Sequence, residues 1–108
     1  MKYLLLICVD GPVTVSAEES SSEAWVKEMD GRGVRLLGDR LRPARDATGV
    51  QIRADKLLIT DGPYAEAHEH IGGFDVIECA DLDEAIEVAS KHPVARFGTV
   101  EVRPFWVD

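Results

Sequence analysis

The stretch GGFDVIECADLDEAIEVASKHPVARFGTVEVRP, residues 72–104, decides the fold, because a strand, a helix and a second strand follow one another directly. The apolar run 73–79 predicts the first strand. Asp81 and Glu84 have the spacing of a capping box, which predicts that a helix begins there. The apolar side chains that follow recur at helical intervals: Leu82, Ala85, Ile86 and Ala89. His92-Pro93 ends the helix, so this half of the chain is a β-α-β unit.

The closing strand of this unit has two unlike faces. Val100 and Val102 lie on one side, while Thr99, Glu101 and Arg103 lie on the other. We therefore expect one face of the sheet to be buried at this strand and the opposite face to carry polar groups.

The N-terminal half shows the same order of elements. Residues 3–9 predict a strand with two apolar faces, one formed by Tyr3, Leu5, Ile7 and Val9 and the other by Leu4, Leu6 and Cys8. Ser20 and Glu23 have capping-box spacing and predict a helix whose apolar stripe is Trp25, Val26 and Met29. The run 34–43 predicts a second strand, in which Gly38 indicates a bulge or a close backbone approach.

A β-hairpin is predicted between the two halves. In VQIRADKLLITDGP, residues 50–63, Ala54-Asp55 is the turn and four aliphatic residues mark inward positions: Val50, Ile52, Leu57 and Ile59. The complete order is β-α-β-(hairpin)-β-α-β, an α+β class with the ferredoxin-like pattern, in which both helices cover one side of the sheet. We expect residues 1–108 to form a single domain.

Composition narrows the classes of partner. The 108 residues include 20 acidic and 12 basic side chains, for a formal charge of −8, without a basic cluster. Phosphate backbones and anionic membranes attract concentrated positive charge, so direct nucleic-acid or membrane binding is not expected. Cys8 and Cys79 sit in apolar runs without metal-ligand spacing and are expected in the core. The residues before the first turn are better explained as a strand than as a signal peptide, which predicts a cytoplasmic protein.

The strand predicted at residues 3–9 also indicates oligomerisation. Two helices cover one face of the sheet, yet this strand is apolar on both faces. The sheet of a second copy is the simplest cover for the other face, because homodimers are the commonest oligomers and a bare apolar surface is unfavourable. We therefore expect a homodimer.

Residues 60–104 resemble the YCII-like family and, within it, the DGPF-domain group. The resemblance rests on DGPYAE at 61–66, GGF at 72–74, LDEA at 82–85 and GTVEVRP at 98–104, and it extends over nearly the whole chain. It implies a dimeric α/β barrel of ferredoxin-like monomers, in agreement with the pattern above.

The resemblance implies less about activity. Some YCII-like members carry a histidine–aspartate pair proposed to be catalytic, and DGPF members often look like companions of extracytoplasmic-function sigma factors. This chain has Tyr64 where the group usually has Phe, and it has His68-Glu69-His70 where the group more often has Lys and another polar residue. The helix position of the YCII histidine is taken by Trp25 or a neighbour. No cofactor is implied.

The segment 60–71 concentrates titratable groups and is the first candidate site. Asp61 either completes the turn by accepting backbone N–H groups or faces a pocket, where a half-buried carboxylate acts as acid or base with His68 or His70 assisting. Glu66, His68 and His70 alternate, so an extended backbone would place them on one side as possible metal ligands, whereas a helix would separate them. A solvated acidic loop is the remaining interpretation.

A second set of candidates would bind an anionic ligand. Glu101 and Arg103 could pair with Arg42 or Arg40 in an ion network at a dimer interface. Alternatively, Arg103 could bind the carboxylate of a small anionic ligand while the Tyr64 hydroxyl closes the pocket. The sequence thus leaves three functional classes open: a small-molecule-binding or regulatory dimer, a small enzyme acting on an anionic substrate, and a protein whose dimer is its only evident feature.

Overall fold

The structure is a computed structural model that describes residues 1–9, 21–62 and 70–107; of His70 only the backbone is described. Two α-helices and six strands lie in these ranges. They follow the order β1 (Lys2–Val9), α1 (Glu23–Gly31), β2 (Arg35–Arg40), β3 (Thr48–Arg53), β4 (Lys56–Asp61), β5 (His70–Glu78), α2 (Leu82–Ser90) and β6 (Thr99–Pro104). Short 3-10 turns occupy Ala44–Asp46 and Pro93–Arg96. The predicted α+β class and order of elements are confirmed.

Four strands form one antiparallel sheet in the order β2-β5-β1-β6. The first strand of the chain is therefore central, between β5 and β6. This arrangement is compatible with a ferredoxin-like fold, since each half contributes one inner and one edge strand. Its register is interrupted opposite Ile7 and Cys8, where Gly72 is the extra residue, and again at Leu36 of β2. Gly38 itself marks a close approach rather than the bulge.

Both helices pack on the same face of this sheet. One buried cluster joins Tyr3, Leu5 and Ile7 of β1 to side chains from the two helices: Trp25, Met29, Ala85, Val88 and Ala89. The indole N–H of Trp25 donates to the carbonyl of Val88 at 2.9 Å, which ties α1 to α2 inside the core. The side chains of Cys8 and Cys79 are buried, as predicted.

The helix ends match the sequence analysis in one case and differ in the other. Asp81 Oδ1 accepts from the N–H of Glu84 at 2.9 Å, and Glu84 Oε1 accepts from the N–H of Ala80 at 2.8 Å, so α2 is capped as predicted. The expectation for α1 was wrong in its start, because the helix begins at Glu23 with Ser22 as N-cap, whose side chain makes no capping bond. Ser20 lies outside the described residues.

The apolar stripe of α2 is also rotated from the predicted one. Ala85, Val88 and Ala89 are buried, whereas Leu82 and Ile86 are half exposed. The small side chains at 85 and 89 allow the helix to approach the sheet closely, and Val88 lies between them on the core side. The predicted stripe of α1 is confirmed by buried Trp25 and Met29.

The hairpin of β3 and β4 forms a separate two-stranded sheet. Ala54 and Asp55 have φ of 51° and 63°, as the predicted turn requires. Val50, Ile52, Leu57 and Ile59 share one face, but the expectation that they point inward was wrong for the single chain, where each is at least 60% exposed. The radius of gyration is 15.9 Å, against about 13 Å for a compact chain of this length, because the hairpin projects from the body.

The face of the sheet opposite the helices has an apolar centre. Two rows cross it in register, the first through Leu37, Val76, Leu4 and Arg103 and the second through Asp39, Phe74, Leu6 and Glu101. Leu4, Leu6, Phe74 and Val76 are half-buried and Leu37 is exposed. Val100 and Val102 pack on the core side of β6, and Thr99, Glu101 and Arg103 are exposed on this open face, as predicted.

Candidate functional site

A cavity of about 690 Å³ lies between the sheet and the N-terminal end of α1. Its walls come from β1, β2, β5, the first turn of α1 and the 3-10 turn that follows α2. Ile7, Val26, Val94 and Phe97 supply apolar surface, and the ionisable residues that line it are Glu23, Arg35, Asp39, Arg40, Asp75 and His92. An apolar pocket with a few convergent polar groups is the usual form of a small-molecule site.

A buried ion pair forms one wall. Asp75, on the helix side of β5, is 6% exposed, and its Oδ1 accepts from Arg35 Nε at 2.8 Å. Arg35 is held in place by two further bonds, from Nη2 to the carbonyl of Gly38 at 3.0 Å and from Nη1 to Asp30 at 3.3 Å. Burial raises the pKa of Asp75 while Arg35 opposes that shift, and the hydrogen bond to Asp75 raises the pKa of Arg35. The guanidinium therefore stays charged and fixed.

Two glycines make room for this wall. A Cβ on Gly38 would collide with the Asp75 carboxylate and would lie 2.7 Å from the carbonyl oxygen of Phe74. A Cβ on Gly73 would lie 2.9 Å from the carbonyl oxygen of Asp39. The close approach expected at Gly38 is thus confirmed, and its physical reason is the carboxylate of the neighbouring strand, which lies across this glycine.

His92 is the second buried polar group of the cavity. It is 4% exposed, and its ring lies edge-on to Trp25 with centroids 4.8 Å apart. The N–H of Val94 donates to Nδ1 at 3.1 Å, which places the proton of the neutral ring on Nε2. Burial lowers the pKa of His92 to about 4, so the ring is neutral at pH 7.

His92 lines the cavity, and its ring has one donor that the protein does not use, Nε2–H. Among the described residues Nε2 has no hydrogen-bond partner, whereas every fully buried side-chain nitrogen or oxygen there has one. Nε2 is therefore not sealed into the core. An accessible, unpaired donor on a residue that lines a cavity suits a ligand atom that accepts a hydrogen bond.

Other donors lie around the same cavity. Arg40 aligns with Gly73 on the helix side of the sheet, and among the described residues its guanidinium forms no ion pair. The first turn of α1 reaches the cavity through Ser21, Ser22 and Glu23; the N–H of Glu23 donates to Ser21 Oγ at 3.3 Å, and the Ser22 side chain makes no capping bond. The N–H groups of this turn carry the positive end of the helix dipole. Together these groups can hold a carboxylate or phosphate group.

The residues predicted from the 60–71 segment lie apart from this cavity or outside the description. Asp61 ends β4, pairs with Thr48 and is exposed, and it does not line the cavity. The backbone of His70 begins β5 opposite Val9. Tyr64, Glu66 and His68 lie outside the described residues, so the proposed acid–base and metal roles stay predictions. Within residues 1–9, 21–62 and 70–107, no group of three acidic, histidine or cysteine side chains could hold a metal ion.

The predicted anion-binding residues of the strands separate into two ion pairs. Arg103 Nη2 donates to Glu101 Oε2 at 2.7 Å on the exposed face of β6. Arg42 Nε donates to Asp46 at 3.2 Å, with its side chain 86% exposed. Arg40 and Arg42 are at the β2 edge and β6 is the opposite edge, so within one chain the predicted network does not form across the sheet. Its place in a dimer interface stays a prediction.

Arg35, Asp75 and His92 were not predicted as site residues. Asp75 had a signal in the sequence, because a carboxylate inside the apolar strand GGFDVIE falls on the same face as Gly73 and Ile77. Its partner Arg35 is forty residues away, and only the pairing of β2 with β5 brings them together. His92 was interpreted only as the end of a helix.

Comparison with known proteins agrees with this description. The family described as YCII-related domain matches residues 1–107. An uncharacterised protein of Rhizobium meliloti (strain 1021) is 36% identical over 104 residues, which covers 81% of this chain and 84% of the relative. None of the helices in the described ranges is long and apolar enough to span a bilayer. With a family match over nearly the whole chain, the protein belongs to the YCII-related family.

Proposed function

We propose that the protein is a homodimer that binds a small anionic molecule in the cavity between the sheet and α1. The observation that carries the proposal is His92, a buried neutral ring that lines a cavity of about 690 Å³ and whose Nε2–H has no hydrogen-bond partner among the described residues. This volume lies within the range of known small-molecule sites, roughly 300–1,000 Å³.

The anionic class follows from the groups that remain to bind a ligand. Asp75 neutralises Arg35, and each nitrogen of the Arg35 guanidinium already donates to a protein partner. His92, Arg40 and the first turn of α1 then supply donors, while Asp39 accepts from the backbone N–H of Arg40. A carboxylate or phosphate oxygen would complete the hydrogen bonds of these donors, and charge-assisted bonds of this kind are the strong ones.

The homodimer is supported by the open face of the sheet. Leu4, Leu6, Phe74 and Val76 lie at its centre and Leu37 beside them, with ion-paired Glu101 and Arg103 at the β6 side. An apolar centre with a charged border is the composition of protein interfaces. A second sheet laid on this face would produce the barrel that the family resemblance implies.

The first experiment is a thermal-melting screen of the protein with small carboxylates, phosphates and their neutral amide or alcohol counterparts. A ligand present at about 100 times its Kd stabilises the folded state by about 2.7 kcal/mol. For a chain of this size the melting temperature should rise by roughly 10 °C. We expect acids and not their neutral counterparts to raise it.

Two variants locate the binding site. His92→Asn keeps an oxygen close to the position of Nδ1 to accept from Val94 but removes Nε2–H, and Arg40→Gln removes the charge. Arg45→Gln is the matched control, because Arg45 is exposed and does not line the cavity. The proposal requires a reduced shift in the first two variants and a full shift in the control. An acid that stabilises all four proteins equally binds elsewhere, and a screen without any shift contradicts the proposal.

The enzymatic alternative uses Asp61 with His68 or His70 as acid and base on an anionic substrate. It differs from binding alone in its pH dependence, since two titrating groups give a bell-shaped rate profile. Turnover of any acid found in the screen, abolished in Asp61→Asn, would favour the enzyme.

Association with an extracytoplasmic-function sigma factor is the regulatory form of the binding proposal and rests on the family resemblance. Co-purification with the sigma factors of the source organism tests it. A complex whose stability changes with the acid found in the screen would join the two roles.

A further inference from the structure

The β3–β4 hairpin, residues 48–61, projects from the body of the chain and is called the arm here. Its aliphatic face consists of two directly opposed cross-strand pairs, Val50 with Ile59 and Ile52 with Leu57. These four side chains are 60–65% exposed. They form a continuous apolar surface that the other described residues leave uncovered.

Such an arm needs a cover to be stable. A two-stranded hairpin alone in water is marginal, and it gains stability by packing its apolar face on another element. Contiguous exposed aliphatic surface marks a protein interface in soluble proteins. The turn of the arm is well formed, and its strands pair without interruption from Thr48 with Asp61 to Arg53 with Lys56. The arm is therefore a regular hairpin rather than an irregular loop.

The charge distribution favours a second copy as the cover. Residues 48–61 contain Arg53 and Lys56 against Asp55 and Asp61, so the arm is neutral, while the whole chain carries −8. Two copies of an acidic chain repel each other, and the neutral arm is a surface that they can bring together without adding to that repulsion.

The area is also sufficient for a stable dimer. Four aliphatic side chains at roughly 100 Å² each give roughly 400 Å² for one arm. An arm covers a similar area of its partner, and two-fold symmetry doubles the total, to roughly 1,600 Å². This is the size of a standard specific interface.

We infer that the aliphatic face of the arm docks on a second copy of the chain, and that the two copies exchange their arms reciprocally. The inference rests on the proposed homodimer and adds the arm to its interface. Each arm then stabilises the partner, and the arm itself is ordered by the partner's surface.

Paired substitutions test this. Ile52→Glu with Leu57→Lys places opposite charges on an opposed pair of the aliphatic face, so hairpin pairing and net charge are kept. Gln51→Glu with Leu58→Lys is the control variant. It places the same two charges on the neighbouring opposed pair, which lies on the other face of the hairpin. Sedimentation equilibrium at micromolar concentrations gives the dimer Kd, and far-UV circular dichroism confirms folding.

We expect a dimeric wild type, a control variant with an unchanged Kd and an aliphatic-face variant whose Kd is weakened by about 100-fold or more. A dimer of equal affinity in all three proteins would overturn the inference, as would equal weakening by both variants. A monomeric wild type would overturn both the arm and the homodimer. The melting shift with acids is measured separately, so ligand binding succeeds or fails independently.

Discussion

Lowering the pH should destabilise the protein through His92, by an amount that the structure fixes. The ring is buried against Trp25, and burial lowers its pKa from 6.5 to about 4. The unfolded chain therefore takes up a proton at this residue before the folded chain does. This contribution to stability is fully present above pH 6.5 and is lost as the pH falls toward 4.

The magnitude follows from the difference between the two pKa values. Each pH unit of difference is worth about 1.4 kcal/mol, so the loss is about 3 kcal/mol when the ring is protonated in both states. That is a large share of the 5–15 kcal/mol that typically stabilises a domain. In urea unfolding, the midpoint should fall steeply across this interval.

The comparison of wild type with His92→Asn isolates this residue. Asparagine keeps an acceptor for the N–H of Val94 but does not titrate, and it loses the ring contact with Trp25. At neutral pH we expect the variant to be about 1–2 kcal/mol less stable. As the pH approaches 4, the difference in unfolding free energy should vanish and then reverse, because only the wild type contains a buried ring whose protonation is disfavoured in the folded state.

Other titrating groups are common to both proteins, and their effects cancel in the difference between the two unfolding free energies. A difference that stays constant between pH 6.5 and pH 4 would refute the reasoning. It would mean that His92 is hydrated enough in the folded state to take up a proton at its ordinary pKa.

Three further predictions concern stability, each measured by chemical unfolding. Gly38→Ala should lower the free energy of unfolding by about 3 kcal/mol, because the new methyl displaces the buried carboxylate of the neighbouring strand. Gly31→Ala is the control: a Cβ there meets nothing within 4 Å, so it should stabilise α1 by about 0.5–1 kcal/mol. Equal effects of the two variants would contradict the close approach at Gly38. Asp81→Ala should cost about 1 kcal/mol through the lost cap of α2, and Ser22→Ala almost nothing, because that N-cap makes no capping bond. Trp25→Phe should cost about 1–2 kcal/mol, because the buried carbonyl of Val88 loses the indole donor and keeps only the longer bond from the N–H of Lys91 at 3.3 Å, and a neutral result would show that water replaces the indole.

The sequence predicted the fold well where local signals and burial agree. Three predicted features depend on neighbouring residues alone, and each is confirmed: the alternating direction of the side chains in β1, the capping box of Asp81 and Glu84, and the turn at Ala54-Asp55. The predicted stripe of α2 failed because helical spacing permits two adjacent faces, and the sheet accepts the one with the smaller alanine side chains.

The cavity could not be predicted in the same way. Arg35 and Asp75 are ordinary charged residues until β2 pairs with β5, and Nε2 of His92 becomes a candidate ligand contact only because the turn after α2 binds Nδ1. The many titratable groups of segment 60–71 led to the prediction of Asp61 as a site residue, and the structure places Asp61 in solvent at the end of the hairpin.

The central place of β1 has a consequence for how the chain reaches its native state. Residues 2–9 pair on one side with residues 70–78 and on the other with residues 99–104. During synthesis this apolar segment leaves the ribosome well before both of the strands with which it pairs, residues 70–78 and 99–104. Folding must close loops that span most of the chain, and such non-local pairing slows folding. The segment YLLLICV is therefore the part of the nascent chain most in need of chaperone protection.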